Sequence, residues 1–235
     1  MTSSSEPSSD RRGPVLFTLL VGVLGTAALI WLGVWQLQRL DWKEGVLAEI
    51  AGRIGAAPVM LPDAPDPERD RYLPVRVSGQ VGAPDLLVQA SLKRVGPGYR
   101  VIAPFTTEDG RRILIDRGFL RAAGKSEPRP PLAMTVEGNL HWPDEVDGFT
   151  PDPDPLERLW FARDVPSLAA YLETEPVLLV ARATSAEQPG IVPLPVDMAG
   201  ISNNHLQYAV TWFGLALVWA AMTGYFLRAR LRASA

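Results

Sequence analysis

The segment that decides the fold lies near the C-terminus, where residues 201–226 read ISNNHLQYAVTWFGLALVWAAMTGYF. From Leu206 to Leu227 the chain carries no charged side chain. At about 1.5 Å per residue, a helix of this length crosses a hydrocarbon layer of about 30 Å. In lipid, only a helix satisfies its own backbone hydrogen bonds over such a length. The sequence therefore predicts a transmembrane helix over residues 205–227.

A second apolar run, Val15–Leu37, predicts another transmembrane helix over residues 14–37. The run is too long for a signal peptide and ends in Trp-Gln-Leu-Gln-Arg instead of a small-residue cleavage site, which favours a retained anchor. The helix is expected to continue past the membrane, because apolar residues recur there at helical intervals: Leu40, Leu47, Ile50 and Ile54.

Positive charges predict the orientation of the two helices. Three arginines follow the second helix, whereas residues 183–207, before it, contain no Lys or Arg. The positive-inside rule then places the tails 1–13 and 228–235 in the cytoplasm and residues 38–204 outside. The acid-containing N-terminal tail is not typical of a mitochondrial presequence, so the expected location is the plasma (inner) membrane of a bacterium.

The segment between the helices is acidic, with 18 Lys and Arg against 24 Asp and Glu, a net charge of −6. This charge argues against nucleic acid as a partner. The chain has no cysteine, which excludes disulfides and thiolate metal sites.

Hydrophobic residues within residues 38–204 change from a helical period to a period of two. In YLPVRVSGQV (72–81), apolar residues alternate with polar ones, as is typical of a half-buried strand. One short helix is predicted at DVPSLAAYL (164–172), with Asp164 as N-cap. Further strands are predicted at DLLVQA (85–90), GYRVIAPFT (98–106), RRILID (111–116), AMTVEGNLHW (133–142), LERLWFA (156–162) and PVLLVARA (176–183).

These elements together predict an α+β membrane protein. Two terminal transmembrane helices flank a mostly antiparallel, extracytoplasmic β domain with one or two short helices. Enzyme motifs are scarce, since the chain contains no G-x-S-x-G, glycine-rich phosphate loop or H-E-x-x-H. His141 falls on the polar face of its strand, which predicts a solvated side chain, and Asp116-Arg117-Gly118 predicts a turn with a surface ion pair. We therefore do not expect an enzyme.

The other histidine, His205, opens the C-terminal helix and shares one helical face with Ala209, Trp212 and Ala216. Three small residues spaced by four would let another helix approach closely: Ala216, Ala220 and Gly224. The first transmembrane helix is the expected partner of this face. Its outer end presents aromatic and basic residues on one face at the same depth: Trp31, Trp35, Arg39 and Trp42.

Two hypotheses account for this set of residues. An imidazole donor, flat indole walls and a guanidinium for the propionates suit a haem, with His205 as the iron ligand. Alternatively, the tryptophans form an ordinary aromatic belt, Arg39 pairs with lipid phosphate, and His205 hydrogen-bonds across the helices. The residues alone leave both hypotheses open.

Four segments, in this order along the chain, resemble the surfeit-locus family of cytochrome c oxidase assembly factors. They are LGVWQLQRLDWK (32–43), GYRVIAPF (98–105), ILIDRGF (113–119) and NNHLQYAVTWFGLAL (203–217). The first and last are specific motifs, and the middle two are weaker alone. Phe119 stands where the family pattern has Trp, which is a mild departure.

The resemblance implies a non-enzymatic role in building haem–copper cytochrome c oxidase. It implies that haem a is held at the outer helix ends and passed to oxidase subunit I, with haem a synthase and the lipid bilayer as further partners. His205 is the implied iron ligand. The other implied contacts are Trp35, Gln36, Arg39, Trp42, Tyr208 and Trp212. The alternative is a scaffold that stabilises an unfinished oxidase subunit without haem. An unrelated anchored hydrolase or sensor is disfavoured, because no nucleophile–base pair is visible.

Overall fold

The computed structural model describes residues 12–198, 201 and 203–232. The chain forms two compact units: a helix pair, which includes residues 12–48 and 203–232, and a sheet domain, Glu49–Met198. Most of the predicted N-terminal tail (1–11) and the last three residues of the predicted C-terminal tail lie outside the described residues.

The described residues contain three α-helices: α1 (Arg12–Ile54), α2 (Val165–Leu172) and α3 (His205–Arg232). Both α1 and α3 are long and apolar enough to cross a membrane. The predicted extension of the first helix is confirmed, since α1 runs without a break to Ile54. At about 1.5 Å per residue, α1 is roughly twice as long as the hydrocarbon layer is thick.

Eight strands form the sheet domain: β1 (Pro74–Val81), β2 (Leu86–Leu92), β3 (Gly96–Thr107), β4 (Arg112–Arg121), β5 (Leu132–Leu140), β6 (Leu159–Trp160), β7 (Leu178–Thr184) and β8 (Ile191–Val192). A 3₁₀ turn, Ala122–Gly124, follows β4. Every strand segment predicted from the sequence contains a strand, although β6 keeps only two residues. The two residues of β8 are too few to show a period and have no counterpart among the predicted segments.

The strand pairings run in a closed circuit through five strands, from β3 to β1, β5, β7, β4 and back to β3. β2 and β6 extend the sheet from β3, and β8 extends it from β4. Because β4 pairs with β7, and β2 with β6, in parallel, the sheet is mixed and the predicted mostly antiparallel sheet is corrected. Parallel neighbours need a long crossover, which here runs from β4 through β5, β6 and α2 to β7.

All five strands of the circuit contribute side chains to one core, including Val75, Phe105, Ile115, Val136 and Leu179. A second core lies under α2, where Leu168 and Leu172 pack with Leu114 of β4 and Leu178 of β7. β4 is therefore covered on both faces. This explains why its apolar residues form a continuous run and do not alternate with polar ones.

The short helix α2 is confirmed, but its predicted cap is not. Asp164 occupies the N-cap position, yet its side chain makes no capping hydrogen bond. Its backbone carbonyl instead accepts the first helical hydrogen bond from the Leu168 N–H, at 3.0 Å. Burial of the apolar face against the sheet stabilises α2 in place of the cap.

Side chains of the sheet satisfy the C-terminal end of α1. The Ile54 carbonyl accepts hydrogen bonds from Asn139 Nδ2 at 3.1 Å and from Arg182 Nη1 at 3.3 Å. The last carbonyls of a helix have no partner within the helix, so β5 and β7 supply the missing donors.

Candidate functional site

The two long helices pack through glycines of α1. A Cβ built on Gly25 would lie 2.4 Å from Nε1 of the Trp219 indole, and one built on Gly33 would lie 2.7 Å from the Phe213 ring. Real side chains never approach so closely, so each glycine provides the space that a bulky α3 side chain occupies. Packing of this kind, with small residues at the contact, is typical of helix pairs in lipid.

The small-residue ladder predicted on α3 is therefore wrong in part. Ala216 is buried, but Ala220 and Gly224 are exposed. Since α3 contributes large side chains to this contact, the small partners have to lie on the facing helix. The three closest approaches all involve glycines of α1, at Gly22, Gly25 and Gly33.

His205 lies on the side of α3 that faces α1. Ala209 and Ala216, on the same face, are almost fully buried, and Trp212 is half-buried. The imidazole of His205 is half-buried, and its Nδ1 lies 2.8 Å from Oε1 of Gln36. The prediction that this face of α3 meets the first helix is confirmed.

Three other predicted contacts lie at the surface of the helix pair. Trp35 is 45% exposed, Trp42 is 54% exposed and Tyr208 is 55% exposed. Trp35 precedes Gln36 by one residue, which is about 100° around the helix, so the two side chains leave α1 on different faces. The structure thus brings His205 and Gln36 together and does not place the indole of Trp35 between the helices.

Arg39 stacks on a neighbouring indole. Its guanidinium carbon lies 3.9 Å from the centroid of the Trp42 ring, a cation–π contact. Both side chains are exposed. Arg39 and Trp42, which were predicted to line one wall of the site, therefore contact each other on the exposed surface of α1.

The N-terminal end of α3 contains an unsatisfied polar atom. Oδ1 of Asn203 is buried and accepts no hydrogen bond among the described residues. The Asn204 carbonyl accepts the Tyr208 N–H at 3.1 Å and begins the helical pattern.

His205 is the candidate metal ligand at this end of the helix pair. Within the described ranges, no group of three or more His, Asp or Glu is placed to hold a metal ion. Haem would differ from a bare ion, because the porphyrin itself supplies most of the iron ligands and the protein would need to supply only one or two. A single imidazole such as that of His205 is compatible with that requirement.

Sequence reasoning missed a buried polar network in the sheet domain. Asp116 is fully buried within β4, and its Oδ2 lies 2.5 Å from Arg100 Nη1 and 3.5 Å from Arg163 Nη1. Its Oδ1 accepts the Gly118 N–H at 3.1 Å. Burial raises the pKa of Asp116, whereas the two guanidiniums favour its charged form. The predicted surface turn is therefore wrong.

The neighbouring Arg117 is also buried. Its Nε donates to Oε1 of Gln188 at 2.6 Å, and burial lowers the pKa of the guanidinium. Asp116 and Arg117 point to opposite faces of β4, and both faces are covered. Interpretation of a strand by alternation places its polar residues on a face that meets water. That interpretation failed for β4, because neither of its faces meets water.

The network extends to a second acid. Arg163 donates to Glu145 from its backbone N–H at 2.9 Å, from Nε at 3.0 Å and from Nη2. Burial acts to raise the pKa of Glu145, but the hydrogen bonds and charge of Arg163 hold it below its usual value. The same pairing raises the pKa of Arg163 in spite of its burial.

His141 borders this network and is not the solvated side chain that the sequence predicts. Its ring stacks on Tyr72 with centroids 5.3 Å apart, and its Nδ1 is buried without a hydrogen-bond partner among the described residues. Burial, followed by the positive charge of Arg163, lowers the pKa of His141 to about 4. At neutral pH the imidazole is uncharged.

Comparison with known proteins identifies the chain. The sequence profile of the SURF1 family matches residues 23–217. The chain belongs to the SURF1 family. It is 30% identical over 252 residues to a SURF1-like protein of Monosiga brevicollis, covering 97% of this chain and 93% of that protein. It is 29% identical over 239 residues to surfeit locus protein 1 of Homo sapiens, covering 92% and 79%, respectively.

A bacterial relative is similar over most of its length. The SURF1-like protein of Rickettsia felis is 28% identical over 210 residues, covering 85% of this chain and 92% of the relative. The SURF1 match includes Gln36, His205 and all eight strands. The resemblance based on four short segments is thus confirmed over most of the chain, and the helix pair and the sheet domain both belong to the matched region.

Proposed function

We propose that this protein is a membrane-anchored, non-catalytic assembly factor for haem–copper cytochrome c oxidase. In this proposal, His205 holds haem a while the haem passes from haem a synthase to oxidase subunit I. Membership of the SURF1 family and the two long apolar helices support the assembly role. The contact between His205 and Gln36 is the observation that carries the haem proposal.

That contact selects one tautomer of the imidazole. The Gln36 oxygen can only accept a hydrogen bond, so Nδ1 of His205 carries the proton and Nε2 keeps its lone pair. Histidines that bind metals in proteins donate their other ring N–H to a carbonyl or carboxylate in the same way. Gln36 therefore prepares His205 to bind iron through Nε2, which favours a haem carrier over a scaffold without haem.

The membrane is a suitable place for this transfer. Haem a carries a hydrophobic tail, and exposing such a tail to water costs about 0.8 kcal/mol per CH₂. A ligand on a transmembrane helix keeps the tail in lipid or against α1 and α3. Trp35, Trp42 and Tyr208 are exposed and free to contact haem a or the oxidase, and Arg39 provides a cation for a propionate.

The proposed location is the plasma membrane of a bacterium, with both termini in the cytoplasm and the sheet domain outside. The arginines at the end of α3, Arg228, Arg230 and Arg232, support this orientation through the positive-inside rule. His205 then lies at the outer end of α3, at the level where haem would leave for the oxidase.

The test is the visible spectrum of the purified protein. The full-length chain is purified in detergent from cells that make haem a, and the Soret band is recorded for the wild type and for His205→Ala. We expect the wild type to carry haem a and His205→Ala to lose it. His141→Ala, which removes the only other histidine, is the matched control and keeps the wild-type spectrum.

Gln36→Leu tests the tautomer argument separately. Removal of the group that orients a metal-bound histidine typically lowers metal affinity about 10–100-fold, so we expect Gln36→Leu to bind haem a correspondingly less tightly. A colourless wild type, or His205→Ala with an unchanged Soret band, would support the scaffold hypothesis and reject haem binding at this site.

A further inference from the structure

The connection between β5 and β6, residues 141–158, is long and contains neither helix nor strand. Loops of this length are uncommon in compact domains and usually carry function. The connection contains two large apolar side chains that are almost completely exposed, Phe149 at 94% and Leu156 at 96%. Neither side chain buries its apolar surface against the sheet domain, so both are available to a partner.

Both side chains are presented by the same kind of turn. Oδ1 of Asp147 accepts the Phe149 N–H at 2.9 Å, and Oδ1 of Asp154 accepts the Leu156 N–H at 3.0 Å. In each case an aspartate fixes the backbone of the residue two positions later. The turns therefore hold the two apolar side chains outward before any partner binds, which lowers the entropy cost of binding.

The ends of the loop are attached to the sheet domain. At the first end, Trp142 Nε1 donates to the Pro176 carbonyl at 2.8 Å, and Glu145 accepts the Arg163 N–H at 2.9 Å. At the second end, Asp154 and Leu159 exchange two backbone hydrogen bonds, of 2.8 and 2.9 Å. The exposed turns thus project from a rigid base.

The charge of the loop indicates the kind of partner. Residues 143–157 contain no Lys or Arg and six acids: Asp144, Glu145, Asp147, Asp152, Asp154 and Glu157. The two glutamates form ion pairs with Arg163 and Lys125, whereas the four aspartates form none within the described part of the chain. A complementary surface therefore carries Lys and Arg around its apolar contact.

We propose that residues 143–157 are a docking loop for a protein partner whose surface has an apolar pocket rimmed by Lys and Arg. Phe149 and Leu156 enter the apolar part of the contact, and the aspartates face the basic rim. A second copy of this chain is a poor partner, because a symmetric contact would oppose two acidic loops. A membrane surface is also a poor partner, because anionic lipids repel the aspartates.

Site-specific photocrosslinking tests the docking loop. The full-length protein is produced in its native membrane with p-benzoylphenylalanine in place of Phe149 or of Leu156. The matched control places it at Met60, which is 86% exposed on another loop of the sheet domain. After irradiation, mass spectrometry identifies the adduct and the crosslinked peptide.

We expect a discrete protein adduct from positions 149 and 156 and no such adduct from position 60. The crosslinked peptide of the partner is expected to contain apolar residues together with Lys or Arg. An adduct with lipid, an adduct with a second copy of the chain, equal yields from all three positions, or no adduct would overturn the proposal.

A charge reversal tests the basic rim. Asp144→Lys with Asp152→Lys leaves both turns intact, since neither carboxylate makes a turn hydrogen bond, and we expect the adduct yield from position 149 to fall about tenfold. Glu108→Lys with Glu187→Lys changes the charge equally elsewhere on the sheet domain and is expected to leave the yield unchanged. An unchanged yield after the loop reversal would overturn the proposed charge complementarity.

Discussion

Acidification is expected to destabilise the sheet domain through His141. Burial of the imidazole, together with the nearby positive charge of Arg163, lowers the pKa of His141 from 6.5 to about 4. The ring stacks on Tyr72, and its buried Nδ1 makes no hydrogen bond among the described residues, so the folded site favours the neutral form.

The direction of the effect follows from the two pKa values. Above a pH of about 6.5, His141 is neutral in both the folded and the unfolded chain. Between pH 6.5 and 4, only the unfolded chain binds the proton, so the free energy of unfolding falls as the pH falls. Because the pKa of His141 is depressed from 6.5 to about 4, at about 1.4 kcal/mol per pH unit, the total loss is about 3.5 kcal/mol, of which about 3 kcal/mol is lost by pH 4.

Urea unfolding measures this loss. The full-length protein in detergent is unfolded at several pH values between 7 and 4, and the change in tryptophan fluorescence, to which the buried Trp160 of the sheet domain contributes, reports the unfolding. His141→Gln is expected to lose about 3 kcal/mol less stability than the wild type across this range. The comparison cancels the contribution of the carboxylates, which titrate in both proteins.

His205→Gln is the control for this experiment, because it removes the other histidine and is expected to keep the wild-type pH dependence. If His141→Gln and the wild type lost the same free energy between pH 7 and 4, the neutral, buried state assigned to His141 would be wrong.

Four further substitutions test the packing and the ion pairs. Asp116→Asn leaves the buried Arg100 guanidinium without a carboxylate and Arg163 with Glu145 alone, and it is expected to cost about 3–5 kcal/mol in urea unfolding. Glu137→Gln, which breaks the partly exposed ion pairs of Glu137 with Arg76 and Arg182, is expected to cost less than about 1 kcal/mol. Gly25→Val is expected to separate the helix pair and reduce disulfide formation between cysteines introduced at positions 36 and 205, whereas Gly45→Ala, with open space around it, is expected to have no effect. Leu168→Ala is expected to destabilise the sheet domain by about 2–5 kcal/mol in urea unfolding, because it leaves a cavity under α2.

The sequence was sufficient to predict the elements with a strong and simple hydrophobic pattern. The long apolar runs predict α1 and α3, and the alternation in β1 matches its burial, with Val75, Val77 and Val81 inward. The parallel pairing of β4 with β7 could not be predicted in the same way. Which strands become neighbours depends on the path of the crossover through space, and that path leaves no periodic pattern in either strand.

The buried network was missed for a related reason. Alternation assumes that one face of a strand meets water, but the ring of strands and α2 cover both faces of β4. Asp116 and Arg117 therefore become buried side by side, and each needs a polar partner from elsewhere in the sequence. These partners, Arg100, Arg163 and Gln188, lie far away along the chain and become neighbours only on folding.

The structure brings His205 and Gln36, two residues of the predicted site, into contact, but the sequence analysis did not anticipate which side of α1 faces α3. Helical spacing groups Trp31, Trp35, Arg39 and Trp42 on one face, but spacing alone does not say which face contacts the partner helix. The glycines at positions 22, 25 and 33 contain that information, since a close contact between helices in lipid needs small residues. They share their side of α1 with Gln36.

The glycines also determine whether His205 can meet Gln36 at all. Three fixed contacts, made by Gly22, Gly25 and Gly33 with side chains of α3, set both the rotation and the sliding position of one helix on the other. Moving α1 by one residue would shift Gln36 by about 1.5 Å along the axis and about 100° around it. The 2.8 Å contact with Nδ1 would then be lost. The contact on which the haem proposal rests therefore depends on packing deep in the helix pair, as well as on the two polar residues at its end.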